Sequence, residues 1–383
     1  MNNEYVMSFC LYHLHILGLN PFKQSIFSKL RAGFVALITC VLYGFNLAAL
    51  FHDNNGIKSL QNTIDALPCG QQTSVRLLYL LICGNKMKQL YEMTNETWPN
   101  DICGSKLKER LQFDSERFKS FFKSYSTYLV TIVIIYLITP SFYTYRRLTT
   151  EWYLPCKLES DMCYLSARLA QVVYFMLIIY QIIIFDGMCW AFLFCLFLET
   201  EKVKYSFKYL NIEELNSNNE VNRKFCSIVK HHCYLLEFLK RFNAVYSLQM
   251  LNHFLTIAAA LCFGMFLVSK DGFPPTTFEN ARFIPYVIGY NTQLYICCYS
   301  GEVIYSQLIS IADAIYESMW YLNNHSNVSN GIRLGIQVSQ IGNKVTIGGL
   351  WPLSLSTFVS VFKTSVSLNA ILQTVYINAE RSI

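Results

Sequence analysis

Apolar runs separated by polar stretches organise this chain from end to end. A helix that crosses a bilayer needs about 20 mostly apolar residues. Ala32–Phe51, Tyr125–Tyr145, Leu169–Leu198, Ala244–Val268 and Ile347–Tyr376 meet that length. Phe283–Ser300 is slightly short and is expected to continue as one helix through Tyr316. Leu60–Gly84 is interrupted by Pro68 and Arg76 and is counted as a further span. The first apolar stretch, Met7–Leu19, holds His13 and His15 and is too short to cross, so it reads neither as a span nor as a cleaved leader. No internal repeat or Pro/Ser/Gly linker divides the sequence. The expectation is an all-α membrane protein of seven transmembrane helices, forming a single domain over 1–383.

Charge orients those helices. With the N-terminus inside, inner segments carry 21 of the 31 Lys and Arg and outer segments carry 8. Lys and Arg favour the cytoplasmic side, so the N-terminus is expected to be cytoplasmic and the C-terminus extracellular, the reverse of a G-protein-coupled receptor. The sequons at Asn95, Asn324 and Asn327 then fall in inner loops and are expected to stay unglycosylated. The 383 residues are 53% apolar and only 15% charged, which is too little charge for a water-facing surface. Neither disorder nor a nucleic-acid surface fits, because the net charge of +6 is scattered.

Most of the 14 cysteines, such as Cys40, Cys83, Cys189, Cys195 and Cys262, stand singly in apolar runs and read as small buried hydrophobes. No paired Cys/His spacing suggests zinc, and no cofactor is expected. Cys156 and Cys163 share one outer loop, with Cys69 at the same face, which leaves a disulfide there open. No catalytic order, phosphate loop or nucleotide-binding glycine pattern occurs, so the chain does not read as an enzyme. His13/His15 and His231/His232 are assigned to solvated or cytoplasmic helices.

Three features invite a functional reading. In the last span Ser356, Ser360, Lys363, Ser367, Ala370 and Thr374 fall on one helical stripe. A polar stripe should face protein or water rather than lipid. Repeated around an axis it would line a pore; alternatively its hydroxyls bond back to their own helix. Ile371 and Val375 form an apolar band beside it, suited to closing a pore by dewetting. Second, Ile135, Thr139 and Phe142, then Tyr174, Ile178 and Gln181 with Val173 and Leu177 beside them, and finally Tyr286, Tyr290 and Gln293, form faces on three middle helices. Such faces suit a small apolar cavity with a few hydroxyl and amide groups, the composition a volatile organic molecule needs. Ordinary aromatic packing would produce the same pattern. Third, Asp186 and Arg76 lie inside spans; they are candidates to pair or to face water, unless Arg76 simply snorkels to the interface.

The last third carries a pattern: Ala314-Ile-Tyr316, Trp320-Tyr321, Gln337, Gln340, Val345-Thr-Ile-Gly-Gly349, Pro352-Leu-Ser-Leu-Ser-Thr-Phe358 and Lys363-Thr-Ser-Val-Ser367. It resembles the insect odorant receptor family, as does the stretch Ile228-Val-Lys-His231 with Phe238. The resemblance implies a variable, odour-tuned subunit that assembles with the co-receptor Orco into a tetrameric, odorant-gated, non-selective cation channel in the plasma membrane of a sensory dendrite. It implies a final helix split into an anchor part and a pore-lining part. The anchor would lie at 199–245 and 301–346, and the pore helix at 347–376. It places the gate on Ile371, Thr374 and Val375 and the odorant in the outer half of the bundle. The alternatives are a gustatory-type channel, whose usual ending differs from Ser367–Val375 here, or a secondary transporter, which lacks its internal repeat.

Overall fold

The computed structural model describes residues 3–381 except 23–24, 53–62, 65, 101–103, 144, 211–218, 271, 276, 319 and 323–325. Among the described residues the chain forms helices α1 (Asn3–Ile16), α2 (Ile26–His52), α3 (Leu67–Met93), α4 (Ser105–Ile138), α5 (Asp161–Lys208), α6 (Asn219–Ser269), α7 (Phe278–Ala281), α8 (Phe283–Tyr316), α9 (Ser326–Gln340) and α10 (Leu355–Arg381). A two-stranded hairpin, β1 (Thr346–Ile347) and β2 (Trp351–Pro352), precedes α10. Among the described residues five helices, α2, α4, α5, α6 and α10, are long and apolar enough to cross a membrane. Helices α3 and α8 complete the bundle of seven. Their polar residues, Gln72 and Arg76 on α3 and Gln293 on α8, are buried against neighbouring helices instead of meeting lipid.

Pro68 does not interrupt the second span; it starts it. Proline at the first turn of a helix loses an N–H that has no partner there anyway. Accordingly α3 begins at Leu67 and runs on to Met93; residue 60, where the sequence placed the start of this span, lies outside the described residues. Proline ends the next helix: α4 stops at Ile138 and tightens into a 3-10 turn, Thr139–Phe142, around Pro140. The short first apolar stretch becomes α1. Val6, Met7, Cys10 and Leu14 are buried at near-helical spacing, and the helix packs along α5 and α4. Gly18 ends this segment with φ 79°, and a Cβ there would lie 2.3 Å from the Ser28 carbonyl oxygen. Ser28 donates its hydroxyl to the Gly18 carbonyl at 2.8 Å, locking α1 onto α2.

Helix α5 is the axle of the fold, packed by α1, α4, α6 and α8. Nearly every residue from Ile178 to Val203 is buried, so its apolar sequence serves a protein core as well as a membrane. Its 48 residues span about 72 Å and the 51 of α6 about 77 Å, against about 30 Å of hydrocarbon. Both therefore project well beyond the bilayer. The final span differs from the sequence expectation of a helix from Ile347. Gly348 and Gly349 take left-handed φ of 62° and 71°, which folds Ile347 back on Trp351. Helix α10 starts at Leu355, where Ser354 Oγ accepts the Thr357 N–H at 3.3 Å and Glu302 accepts the Leu355 N–H at 3.2 Å.

Cys156 and Cys163 are bonded to each other, which settles the question left open by the sequence. Cys69 takes no part in a disulfide and lies against Tyr290 instead. The disulfide marks one end of the bundle; the end of α5 near Lys208 marks the other.

Candidate functional site

Arg76 and Asp186 meet in the middle of the bundle, with Arg76 Nη2 at 2.9 Å from Asp186 Oδ1. Arg76 therefore does not snorkel to the interface. A buried carboxylate without a counter-ion is costly, and Asp186 on α5 is satisfied from several directions. Tyr125 on α4 donates to its Oδ2 at 3.0 Å and Gln293 on α8 at 2.9 Å. Arg76 Nη2 also lies 3.1 Å from His253 Nδ1 on α6, and Gln72 Nε2 lies 2.6 Å from the same nitrogen. One ion pair thus ties five helices. A polar seam extends from it between α3 and α6, with Gln71 donating to Asn252 at 2.7 Å and accepting from Thr256 at 2.5 Å.

Toward the disulfide end the interior turns aromatic. Tyr174 and Ile178 on α5, and Tyr290 on α8, are buried. Tyr286 meets Tyr290 edge-on at 4.8 Å between ring centroids. The Tyr290 hydroxyl lies 2.9 Å from the Cys69 sulfur on α3. Tyr174 faces Gly70, where a Cβ would sit 2.2 Å from its hydroxyl and 2.5 Å from the Tyr43 ring. Gln181 is buried two turns farther along α5, its amide 3.5 Å from the Thr39 hydroxyl of α2. The structure therefore gathers Tyr174, Ile178, Gln181, Tyr290 and Gln293 inside, with Tyr286 and Leu177 half-buried at the margin. It does not bring the α4 face to them. Ile135 is 56% exposed and Phe142 72%, and Val173 on α5 also points outward. The half-buried Thr139 returns its hydroxyl to Ile135 O at 3.0 Å. Sequence reasoning missed Tyr43, Cys69, Gly70 and His253, since each lies in a run whose periodicity carries no distinctive signal.

The last helix presents its polar stripe outward. Ser356, Ser360, Lys363, Ser367, Ala370 and Thr374 are exposed on α10, as are Ile371 and Val375. The hydroxyls of Ser360, Ser367 and Thr374 bond to carbonyls four residues earlier at 3.0, 3.0 and 2.9 Å. The hydroxyls bond to their own helix, and the face they occupy is exposed. The opposite face docks, through buried Ser365 donating to Ala258 O at 3.3 Å and Gln373 to Ser269 at 2.5 Å, both on α6.

At the far end a second buried cluster forms. Lys202 donates to Glu199 at 2.5 Å and to the Trp98 carbonyl, and His231 lies 2.8 Å from the same carboxylate. The His231 ring stacks on Trp98 at 4.0 Å. His231 and His232 are thus buried rather than solvated, because α6 continues as a packed helix here. A crevice of about 770 Å³ adjoins the cluster; Lys108, Lys202, Glu116 and Glu199 line it and balance in charge. Burial holds the His232 imidazole below its ordinary 6.5, beside Ser339 of α9 at 3.4 Å. The unfolded chain then takes up this proton first. Stability contributed here is full above pH 6.5 and falls as pH drops below it, until the folded pKa is passed. Comparing melting temperatures at pH 7.5 and 5.5 should show a smaller drop for His232→Leu than for the parent; equal drops would refute the assignment.

Helices of membrane-crossing length around an interior that pairs Arg76 with Asp186 define a multi-pass helical membrane protein. The family model described as 7tm Odorant receptor matches residues 70–366, so the chain belongs to that family of receptors, which are not enzymes. Odorant receptor 67c of Drosophila melanogaster is 24% identical over 163 residues, covering 43% of this chain and 39% of the relative. Odorant receptor 22c of the same species is 24% identical over 162 residues, covering 42% of this chain and 39% of the relative. The aligned stretches thus span about two fifths of those relatives. The structure of the olfactory receptor OR5 from Machilis hrabei in complex with eugenol superposes with TM-score 0.80 at 16% identity, over 97% of this chain and 98% of that one. A second structure of the same receptor gives 0.79 at 15% identity, over 95% of this chain and 96% of that one. The fold is that of the insect olfactory receptor, a seven-helix membrane fold.

Proposed function

We propose that this chain is the odour-tuned subunit of an odorant-gated, non-selective cation channel that pairs with the co-receptor Orco as a hetero-oligomer, probed below as a tetramer. The observation that carries this reading is α10, a membrane-length helix whose polar stripe and apolar band are both left exposed by its own chain. Such a face is costly against lipid and suits a shared axis. Ser367 and Thr374 would line the path; Ile371 and Val375 would close it by dewetting. The anchor would comprise 199–245 and 301–346. Disulfides persist in oxidising compartments, so the Cys156–Cys163 end would lie outside, in agreement with the charge distribution. The cytoplasmic N-terminus and extracellular C-terminus follow, in the plasma membrane of a sensory dendrite.

The ligand would be a small volatile organic molecule held in the outer half of the bundle by Tyr174, Ile178, Gln181, Tyr286, Tyr290 and Gln293. OR5 was solved with eugenol, which supports a small organic ligand for this fold. The ligand would favour the open geometry and shift the population toward it. Because Gln293 holds Asp186 and α6 holds both His253 and α10, movement at the pocket has a direct route to the gate.

Whole-cell current in cells expressing this chain with and without the co-receptor tests the reading against a volatile panel. Odour-evoked cation current in the paired cells alone, carried by complexes that count four subunits by photobleaching, is the expected result. Surface expression of both chains with no evoked current would overturn it. Val375→Ser should raise the ligand-free current of paired cells by wetting the constriction.

A further inference from the structure

The segment Leu148–Leu154 between α4 and the disulfide has no regular secondary structure, yet Leu148, Thr149, Thr150 and Trp152 are buried. Loops ordinarily run over the surface because their backbone needs partners. Here partners are built in. Gln171 on α5 accepts the Thr149 N–H at 2.9 Å and donates to Thr150 O at 2.6 Å. The Tyr153 N–H donates to Phe45 O on α2 at 3.0 Å. The Cys156–Cys163 bond and the Arg146–Asp161 pair at 2.5 Å fasten the flanks. This is a fixed plug between α2 and α5, not a surface excursion.

Trp152 is what the plug inserts. Its ring stacks on Phe45 at 6.2 Å and meets Tyr174 edge-on at 5.7 Å. It therefore stands directly against the innermost tyrosine of the aromatic region. Three buried polar atoms of this region have no hydrogen-bond partner within the chain: Trp152 Nε1, Tyr174 Oη and Asn46 Oδ1. Trp152 is 8% exposed; Tyr174 and Asn46 are 0% exposed. Orphaned buried polar groups are rare and costly, and they call for a partner.

We propose that Trp152, Tyr174 and Asn46 form the polar anchor of the odorant pocket, roofed by Leu148–Leu154, and that it takes the hydroxyl of a neutral alcohol or phenol. The proposal rests on the odorant-receptor reading above. The chemistry fixes the class. An indole N–H only donates, an amide oxygen only accepts, and a phenol does both. One hydroxyl accepts from Trp152 or Tyr174 and donates to Asn46; an ether or ketone leaves the Asn46 oxygen unpaired. None of the three groups is charged, so an ionised ligand would be buried without a counter-ion.

The test uses paired cells and matched probes: 1-hexanol with hexyl methyl ether, and 2-phenylethanol with its methyl ether. Wild type should respond to at least one alcohol at about tenfold lower concentration than to its ether, the scale of one well-made hydrogen bond to a buried partner. Asn46→Leu removes the acceptor that only a hydroxyl can use and should erase the tenfold difference between alcohol and ether, whereas Trp152→Phe and Tyr174→Phe remove donors that either oxygen can use and should weaken both responses together. The two ring variants supply independent arms should Asn46→Leu fail to reach the surface. Wild type that responds without distinguishing alcohol from ether, surface-expressed Asn46→Leu that keeps the distinction, or ring variants that weaken neither response would overturn the anchor alone. Wild type silent to every probe, with both chains on the surface, would instead overturn the odorant-gated reading on which the anchor rests.

Discussion

Arg76→Ala should lower the stability of the detergent-solubilised protein by about 3–5 kcal/mol, the usual cost of stripping one partner from a buried ion pair. The magnitude follows from what is left behind. Asp186 would remain inside with Tyr125 and Gln293 as its donors but with no cation. His253 and Gln72 would lose the group that closes their side of the cluster. Replacing both charges, in Arg76→Leu with Asp186→Leu, removes the uncompensated ion but strands Tyr125 and Gln293, each at about 1–3 kcal/mol. The double variant should therefore recover part of the loss and not all of it. Thermal unfolding read by fluorescence, with surface labelling in cells, measures both. An Arg76→Ala melting curve that overlays the parent would show that the pair contributes nothing net.

Gly301→Ala should be nearly as damaging, for a steric reason. Helix α8 and the turn before α10 approach so closely at Gly301 that a Cβ would lie 2.3 Å from the Leu353 carbonyl oxygen and 2.6 Å from its Cγ. The backbone of Leu353 cannot swing aside easily, because its N–H is held by Val345 O at 2.8 Å. Overpacking of this kind costs about 1–3 kcal/mol. Here the strain falls on the two residues that precede the final helix, so the evoked current should collapse even where the protein reaches the surface. Gly331→Ala is the control. It lies in α9 with open space around the added methyl group, and alanine favours a helix by about 1 kcal/mol over glycine. Equal losses of current from the two substitutions would mean that Gly301 acts through something other than contact with Leu353.

The spans were legible in the sequence because lipid and core ask for the same residues. Runs such as Ile182–Phe185 and Ala258–Leu261 declare themselves whichever environment they meet. Boundaries were less legible. Helix α4 begins twenty positions before the apolar run does, at Ser105 against Tyr125, since its projecting part is built from charged residues that resemble a loop. The start of α10 was hidden because Ile347 and Trp351 are as apolar as the helix that follows; only the glycine pair between them signals reversal. The candidate pocket was half legible. Period alone placed Tyr174, Gln181, Tyr290 and Gln293 on inward faces. It could not show that Ile135 and Phe142, equally periodic, turn away, since helical spacing identifies a stripe without saying what lies opposite. Nor could spacing reveal Trp152, whose burial depends on a loop held by distant Gln171 and Phe45.

The unbroken length of α5 has a mechanical meaning. Tyr174 and Lys202 belong to one continuous rod and are separated by 28 residues, or about 42 Å along its axis. A rod of that length pivoted near Tyr174 moves its far end by about 0.7 Å for each degree of tilt. Lys202 and Glu199 sit where that displacement is largest, clamped to Trp98 and His231. A rearrangement too small to see around a molecule of a few atoms would thus arrive at the opposite end as a shift large enough to break a hydrogen bond.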